Sequence, residues 1–170
     1  MLFRSVDPIN AYGVTKAAGE MIIGYRWPKH FIVRSCGLYG VAGSADKGGN
    51  FVETMLRLAA GDKPIKVVDD QVLTPTATWP LAAQICELAA TDAFGTYHAT
   101  CQGQCSWFEF AEQIVTVAGA SANVTRCRTA DMPRPAKRPA YSVLRSQRGV
   151  PGLPDWRQGL EEYLAARVAT

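Results

Sequence analysis

The stretch Pro8-Ile9-Asn10-Ala11-Tyr12-Gly13-Val14-Thr15-Lys16-Ala17-Ala18-Gly19-Glu20 runs on to Tyr25, breaks at Trp27-Pro28, and is followed at once by His30-Phe31-Ile32-Val33-Arg34-Ser35-Cys36. The first part predicts a helix from about Asn10 to Tyr25. Pro8 precedes it, and the Asn10 side chain can accept from its free N–H groups. The second part is short, apolar and partly β-branched, as a strand buried on both faces should be. A helix leading directly into a buried strand is the unit from which α/β proteins are assembled.

The pattern continues outward. A glycine-rich loop holds Gly37, Gly40, Gly43, Gly48 and Gly49. Asn50 then caps a helix in which Phe51, Met55, Leu58 and Ala59 recur at helical spacing. Ile65–Val68 reads as a strand, 69–71 as a turn, 78–90 as a helix and 96–99 as a strand. Ser106 with Glu109 makes a capping box for the next helix. Short strands are expected at 124–127 and 142–144, separated by Pro133, Pro135 and Pro139, and a last helix follows Leu153-Pro154-Asp155-Trp156 to about Ala166. Strands alternating with helices predict an α/β fold. There is no internal repeat and no low-complexity tract.

Bulk properties bound the function. The chain has 170 residues, 48% of them apolar and 19% charged, with a net charge of +3. That is an ordinary globular composition, long enough for a core. A charge of this size, without a basic face interleaved with aromatic platforms, argues against nucleic acid. No apolar stretch approaches a membrane span, and residues 1–8 lack a signal peptide's apolar segment. Five cysteines without a Cys-x-x-Cys pair read as reduced thiols, and the expectation is a soluble cytoplasmic domain.

Tyr12 and Lys16 are the first candidates for chemistry. Residues four apart share a helix face, and an ammonium beside a phenol favours the phenolate. Such a phenol can exchange a proton with a carbonyl/alcohol pair. Spacing alone is weak, because chance supplies about 0.2 such pairs in a chain with this many tyrosines and lysines. Two other groups are candidates for anions. Lys47-Gly48-Gly49-Asn50 would offer free N–H groups at a helix start, and Arg134, Lys137 and Arg138 form a basic cluster among prolines, where an arginine fork suits phosphate. His98, Cys101 and Cys105 lack a fourth ligand and the spacing of a structural zinc site. No metal is expected there, and His98 reads as a hydrogen-bonded strand residue. Trp107, Phe110 and Ile114 read as core.

The order of these motifs resembles the extended short-chain dehydrogenase/reductases, and within them the dTDP-4-dehydrorhamnose reductase family. The segment from Pro8 to Glu20 is similar to that family's active-site helix, Pro-x-Asn-x-Tyr-Gly-x-Ser/Thr-Lys-x-x-Gly-Glu. Its small residues Gly13, Ala17, Ala18 and Gly19 would let the helix lie close to a sheet or cofactor. The resemblance continues through Arg34-Ser35-Cys36-Gly37-Leu38-Tyr39-Gly40, Asp70-Gln71-Val72-Leu73-Thr74-Pro75-Thr76, Arg138-Pro139-Ala140-Tyr141 and Leu153-Pro154-Asp155-Trp156.

The resemblance implies reduction of a 4-keto-6-deoxy nucleotide sugar by NADPH or NADH. Tyr12 and Lys16 would be catalytic and would also touch the cofactor, as would Cys36, Gly37 and Leu38. Asn50 and Arg138 would bind substrate. It further implies the C-terminal portion of an NAD(P)-binding Rossmann-type fold up to about residue 62, then a small α/β substrate-binding region over 63–170. The N-terminal βαβ units, with the glycine fingerprint, would lie outside this chain, which alone is expected to fold poorly and be inactive. A homodimer is a further expectation. The alternatives are a non-catalytic binding or regulatory subunit and an epimerase or dehydratase relative. Two positions depart from the family pattern: Gly37 where a tryptophan is common, opening the sugar pocket, and Pro80 where an Asp is common.

Overall fold

The computed structural model describes residues 6–42, 49–145, 148 and 152–168. Helix α1 spans Ala11–Arg26 and leads into β1 (Phe31–Arg34) and β2 (Leu38–Tyr39). Helix α2 (Phe51–Ala59), β3 (Ile65–Val68), β4 (Val72–Leu73) and β5 (Thr76–Ala77) follow, then α3 (Thr78–Ala89) and β6 (Gly95–His98). The chain finishes with β7 (Cys105–Ser106), α4 (Trp107–Val117), β8 (Val124–Cys127), a 3-10 turn at Thr129–Asp131, and α5 (Trp156–Val168).

Among the described residues, three of the four strand pairs are parallel: β1 with β6, β2 with β5, and β3 with β8. The fourth, β4 with β7, is antiparallel. Parallel pairing needs crossover connections, which here are the helices, so the expected α/β class holds. The β1–β6 register sets Val33 beside Tyr97 and Arg34 beside His98. The first strand of the expected region 1–62 therefore takes its partner from beyond residue 62.

Capping explains where the helices start. Asn10 accepts from Gly13 N–H at 2.8 Å, and Asn50 from Glu53 N–H at 3.1 Å. Ser106 and Glu109 complete the expected capping box. Pro80 lies in the first turn of α3, where its missing N–H costs nothing, and the helix survives it. No strand forms at 142–144. One bridge at Tyr141 replaces it, with Val72 N–H donating to Ala140 O and Ser142 N–H to Val72 O. Further on, Leu144 O and Arg145 O accept from or face the side chains of Thr100 and His98 rather than a strand.

The core is built from α4, α5 and the strands beneath them. Phe110, Ile114, Trp156 and Leu160 are essentially fully buried, and Phe110 meets Trp156 edge-on at 5.7 Å. Tyr39 joins the same cluster, 5.6 Å from Phe110 and 5.4 Å from Tyr163. Burying each large side chain stabilises by roughly 1.5–3 kcal/mol, which makes this end of the molecule its rigid platform. Phe110 and Ile114 are core as expected, and Trp107 packs against that core while partly exposed.

Helix α1 is the opposite case. None of its residues is buried, and Val14, Met21, Ile22 and Tyr25 are exposed. The side turned to the rest of the chain holds Gly13, Ala17 and Glu20, all half-buried. The close approach expected of its small residues is not made at Gly19, where an added Cβ would meet nothing within 4 Å.

Candidate active site

Tyr12 and Lys16 do share one face of α1. The Lys16 ammonium lies 5.5 Å from the centre of the Tyr12 ring. Tyr12 is 71% exposed, so among the described residues its phenol opens to the surroundings rather than into the core.

Two polar contacts fix α1 to the strands and loops. Glu20 receives Arg34 in a fork, Nε at 2.9 Å and Nη2 at 2.5 Å, joining the middle of the helix to the end of β1. The Glu20 carboxylate holds the Arg34 guanidinium above its ordinary pKa against the opposing effect of burial. Arg34 also stands 3.5 Å from His98 Nε2, and His98 Nδ1 is 3.2 Å from Arg145 O, so both ring nitrogens have partners, as expected of a strand histidine. The second contact is at the helix start, where Asn10 Nδ2 donates to Lys137 O at 2.8 Å.

The loop after β1 lies at the carboxyl end of a parallel strand, the place where open α/β sheets bind ligands. Cys36 Sγ is 3.3 Å from Ser142 Oγ. Gly37 has φ +58°, and a Cβ there would come within 2.8 Å of Leu73 Cδ1 and 3.0 Å of Thr74 O. The glycine is thus demanded by the turn itself, and a tryptophan would not fit this backbone. Leu38 is 54% exposed at the start of β2. Ser35 carries a buried hydroxyl with no hydrogen-bond partner among the described residues.

The expected substrate residues divide. Asn50 is fully engaged in structure: Nδ2 donates to Gly40 O at 3.0 Å and to Tyr163 OH at 3.1 Å, while its oxygen caps α2. Tyr163 OH in turn donates to Glu53, which also receives Arg167. Asn50 therefore has no donor left for a ligand and acts as a clamp between loop, α2 and α5. Lys47 and Gly48 of the expected anion loop lie outside the described residues. Arg138 is exposed on the proline-rich segment whose Lys137 carbonyl touches the cap of α1. Asp70 and Gln71 bind Thr129 rather than facing a site. An open cavity of about 370 Å³ between α4 and α5 is lined by Glu109 and Glu112 with Arg157, a poor lining for a pyrophosphate.

Sequence reasoning missed Glu20–Arg34, Asn10–Lys137, and the Ser35 and Ser142 hydroxyls as parts of this region. Only the cap role of Asn10 was readable, from its position before the helix.

The framework is parallel α/β, with a tyrosine and a lysine one turn apart on a helix that precedes a strand ending in a glycine loop, an arrangement shared with the solved short-chain dehydrogenase/reductase-type structures it superposes on. The chain belongs to the RmlD substrate binding domain family, which it matches over residues 3–168. It is 40% identical over 167 residues to a dTDP-4-dehydrorhamnose reductase of Mycolicibacterium smegmatis, covering 95% of this chain and 50% of that protein. A crystal structure of a Clostridium acetobutylicum dTDP-4-dehydrorhamnose reductase superposes with a TM-score of 0.88 at 42% identity, over 96% of this chain and 58% of that one. The Bacillus anthracis reductase, solved in complex with NADP, gives the same TM-score at 39% identity, over 94% of this chain and 57% of that one. The chain spans about half the length of the curated relatives it matches.

All five cysteines are free thiols. Among the described residues no helix is long and apolar enough to cross a membrane.

Proposed function

We propose that this chain forms the substrate-side half of an NADPH- or NADH-dependent reductase of a 4-keto-6-deoxy nucleotide sugar. The observation that carries the reading is the Tyr12/Lys16 pair on one exposed face of α1, in a chain of this family. Residues 1–62 would complete the dinucleotide-binding domain and residues 63–170 would mainly hold the sugar nucleotide. The cytoplasm, with its reduced thiols and nucleotide sugars, is the matching compartment.

The residues present fit a nicotinamide cofactor on one side. Ser35, whose buried hydroxyl has no partner among the described residues, and the tightly turned Cys36-Gly37-Leu38 backbone follow β1 directly, and the helix carrying the exposed Tyr12 and Lys16 is joined to the end of β1 through Glu20 and Arg34. The bound cofactor supplies the hydride. Tyr12 delivers a proton from its phenolic oxygen to the oxygen of the carbonyl being reduced. Lys16, a turn away, stabilises the phenolate left behind by its positive charge. Arg138, with Lys137 and Arg134 on the same segment, meets the negative charge of the nucleotide phosphates. Asn50 serves the site by holding Gly40 to the start of α2.

The test is a chimera that joins this chain to the part of the Mycolicibacterium smegmatis relative that it does not span. The expected result is NADPH oxidation dependent on a dTDP-4-keto-6-deoxy sugar. A folded chimera with no turnover above background, beside an active parent, would refute the reading.

A further inference from the structure

The proline-rich segment Met132–Ala140 arches between two anchored ends. At one end Asp70 accepts from the Thr129 N–H at 3.0 Å and from its hydroxyl at 2.7 Å, and Gln71 Nε2 donates to the same hydroxyl at 2.9 Å. At the other end, the Val72 bridge holds Ala140 and Ser142, and Ser142 Oγ lies against Cys36. Between these anchors the segment is almost wholly exposed. At its crest, Lys137 O accepts from Asn10 Nδ2 at 2.8 Å.

Asn10 is already committed at its other atom, because Oδ1 accepts from Gly13 N–H and starts α1. One side chain therefore joins the cap of the helix bearing Tyr12 to the crest bearing Arg134, Lys137 and Arg138. Three prolines stiffen the crest (Pro133, Pro135 and Pro139), so a single contact can fix its position. Capping needs only an acceptor, and Ser, Thr or Asp would serve. An amide is the side chain that caps and also donates across the gap.

We propose that Asn10 is a positioning residue: by fastening the basic strap 132–140 to the start of α1, it sets the distance between the strap's cations and Tyr12, and so places an anionic nucleotide relative to the phenol. The inference rests on the proposed function for the identity of the anion, and on the two hydrogen bonds of Asn10 for the fastening.

Trypsin reads the fastening directly. Arg134 and Arg138 both precede proline, so Lys137–Arg138 is the strap's one susceptible bond, and its carbonyl is the one Asn10 holds. Cleavage requires the strap to leave that contact. In the chimera with the Mycolicibacterium smegmatis relative, Asn10→Ser keeps a good cap but is too short to reach Lys137 O, and Asn10→Gly removes the amide by a second route. Both should speed the cut after Lys137 about threefold to tenfold, the scale of one lost hydrogen bond, with cuts elsewhere unchanged. An unchanged rate at Lys137, or equal acceleration at every site, overturns the fastening.

Thymidine diphosphate is the probe for positioning. It should slow the Lys137 cut in the unsubstituted chimera, and bind several-fold more weakly to Asn10→Ser. Adding Arg138→Ala to Asn10→Ser should then cost less than it does alone. Equal affinity of the Asn10→Ser and unsubstituted chimeras, or additive losses, overturns the positioning role. If thymidine diphosphate neither binds nor protects the unsubstituted chimera, the nucleotide-sugar reading and the positioning role fall together, while the trypsin result still decides the fastening.

Discussion

Arg34 grips Glu20 through both Nε and Nη2, at 2.9 Å and 2.5 Å, and this fork is what attaches the middle of the Tyr12 helix to the end of β1. Both side chains are more than two-thirds shielded, so removing one leaves the other charged and under-solvated. Glu20→Gln should lower stability by about 1–3 kcal/mol, the range for a hydrogen-bonded charge left unpaired. Denaturant unfolding monitored by circular dichroism would measure it. An unmoved midpoint would show that the pair is ornamental.

Gly37→Ala tests the turn after β1. The left-handed φ and the short distances to Leu73 Cδ1 and Thr74 O leave no room for a Cβ. A loss of about 1–3 kcal/mol is expected, the scale of local backbone strain. Wild-type stability in the alanine variant would mean that the turn relaxes freely.

Asn50→Ala separates structure from binding. Loss of the α2 cap and of the links to Gly40 and Tyr163 should cost about 1–2 kcal/mol or more. Affinity for thymidine diphosphate should follow only as far as stability does. A variant as stable as the parent but unable to bind the nucleotide would return Asn50 to the substrate site.

The caps were legible because they are local. Asn10, Asn50, and Ser106 with Glu109 each satisfy N–H groups within three residues, so the sequence states both donor and acceptor. The strand expected at 142–144 was not, because its apolar alternation matches a strand. In the structure one bridge forms, between Tyr141 and Val72 through Ala140 O and Ser142 N–H, and the carbonyls beyond it go to the Thr100 and His98 side chains. Tyr12 and Lys16 were readable from helical periodicity together with the family motif. Asn10–Lys137 and Glu20–Arg34 were not, since nothing in the spacing of residues 127 or 14 apart tells which polar groups the fold will bring together.

One end of the strap should respond to acid. Asp70 is held below the ordinary carboxylate range, first by the Thr129 hydroxyl and then by the Thr129 N–H. For a depressed carboxyl, the stabilisation is fully present above the unfolded value and is lost as pH falls through the folded one. The Thr129 amide resonance should therefore move only at pH values under the usual aspartate range, and Asp70→Asn should abolish that titration. A transition at or above the ordinary value would contradict the contact.

Turnover of the Tyr12→Phe variant, made in the chimera with the Mycolicibacterium smegmatis relative, tests the central claim most directly. Removing only the phenolic oxygen should cut kcat by about 10²-fold or more, the scale of general acid catalysis, while NADPH affinity stays close to that of the parent chimera. Turnover near the parent value would contradict the account and remove Tyr12 from the reaction.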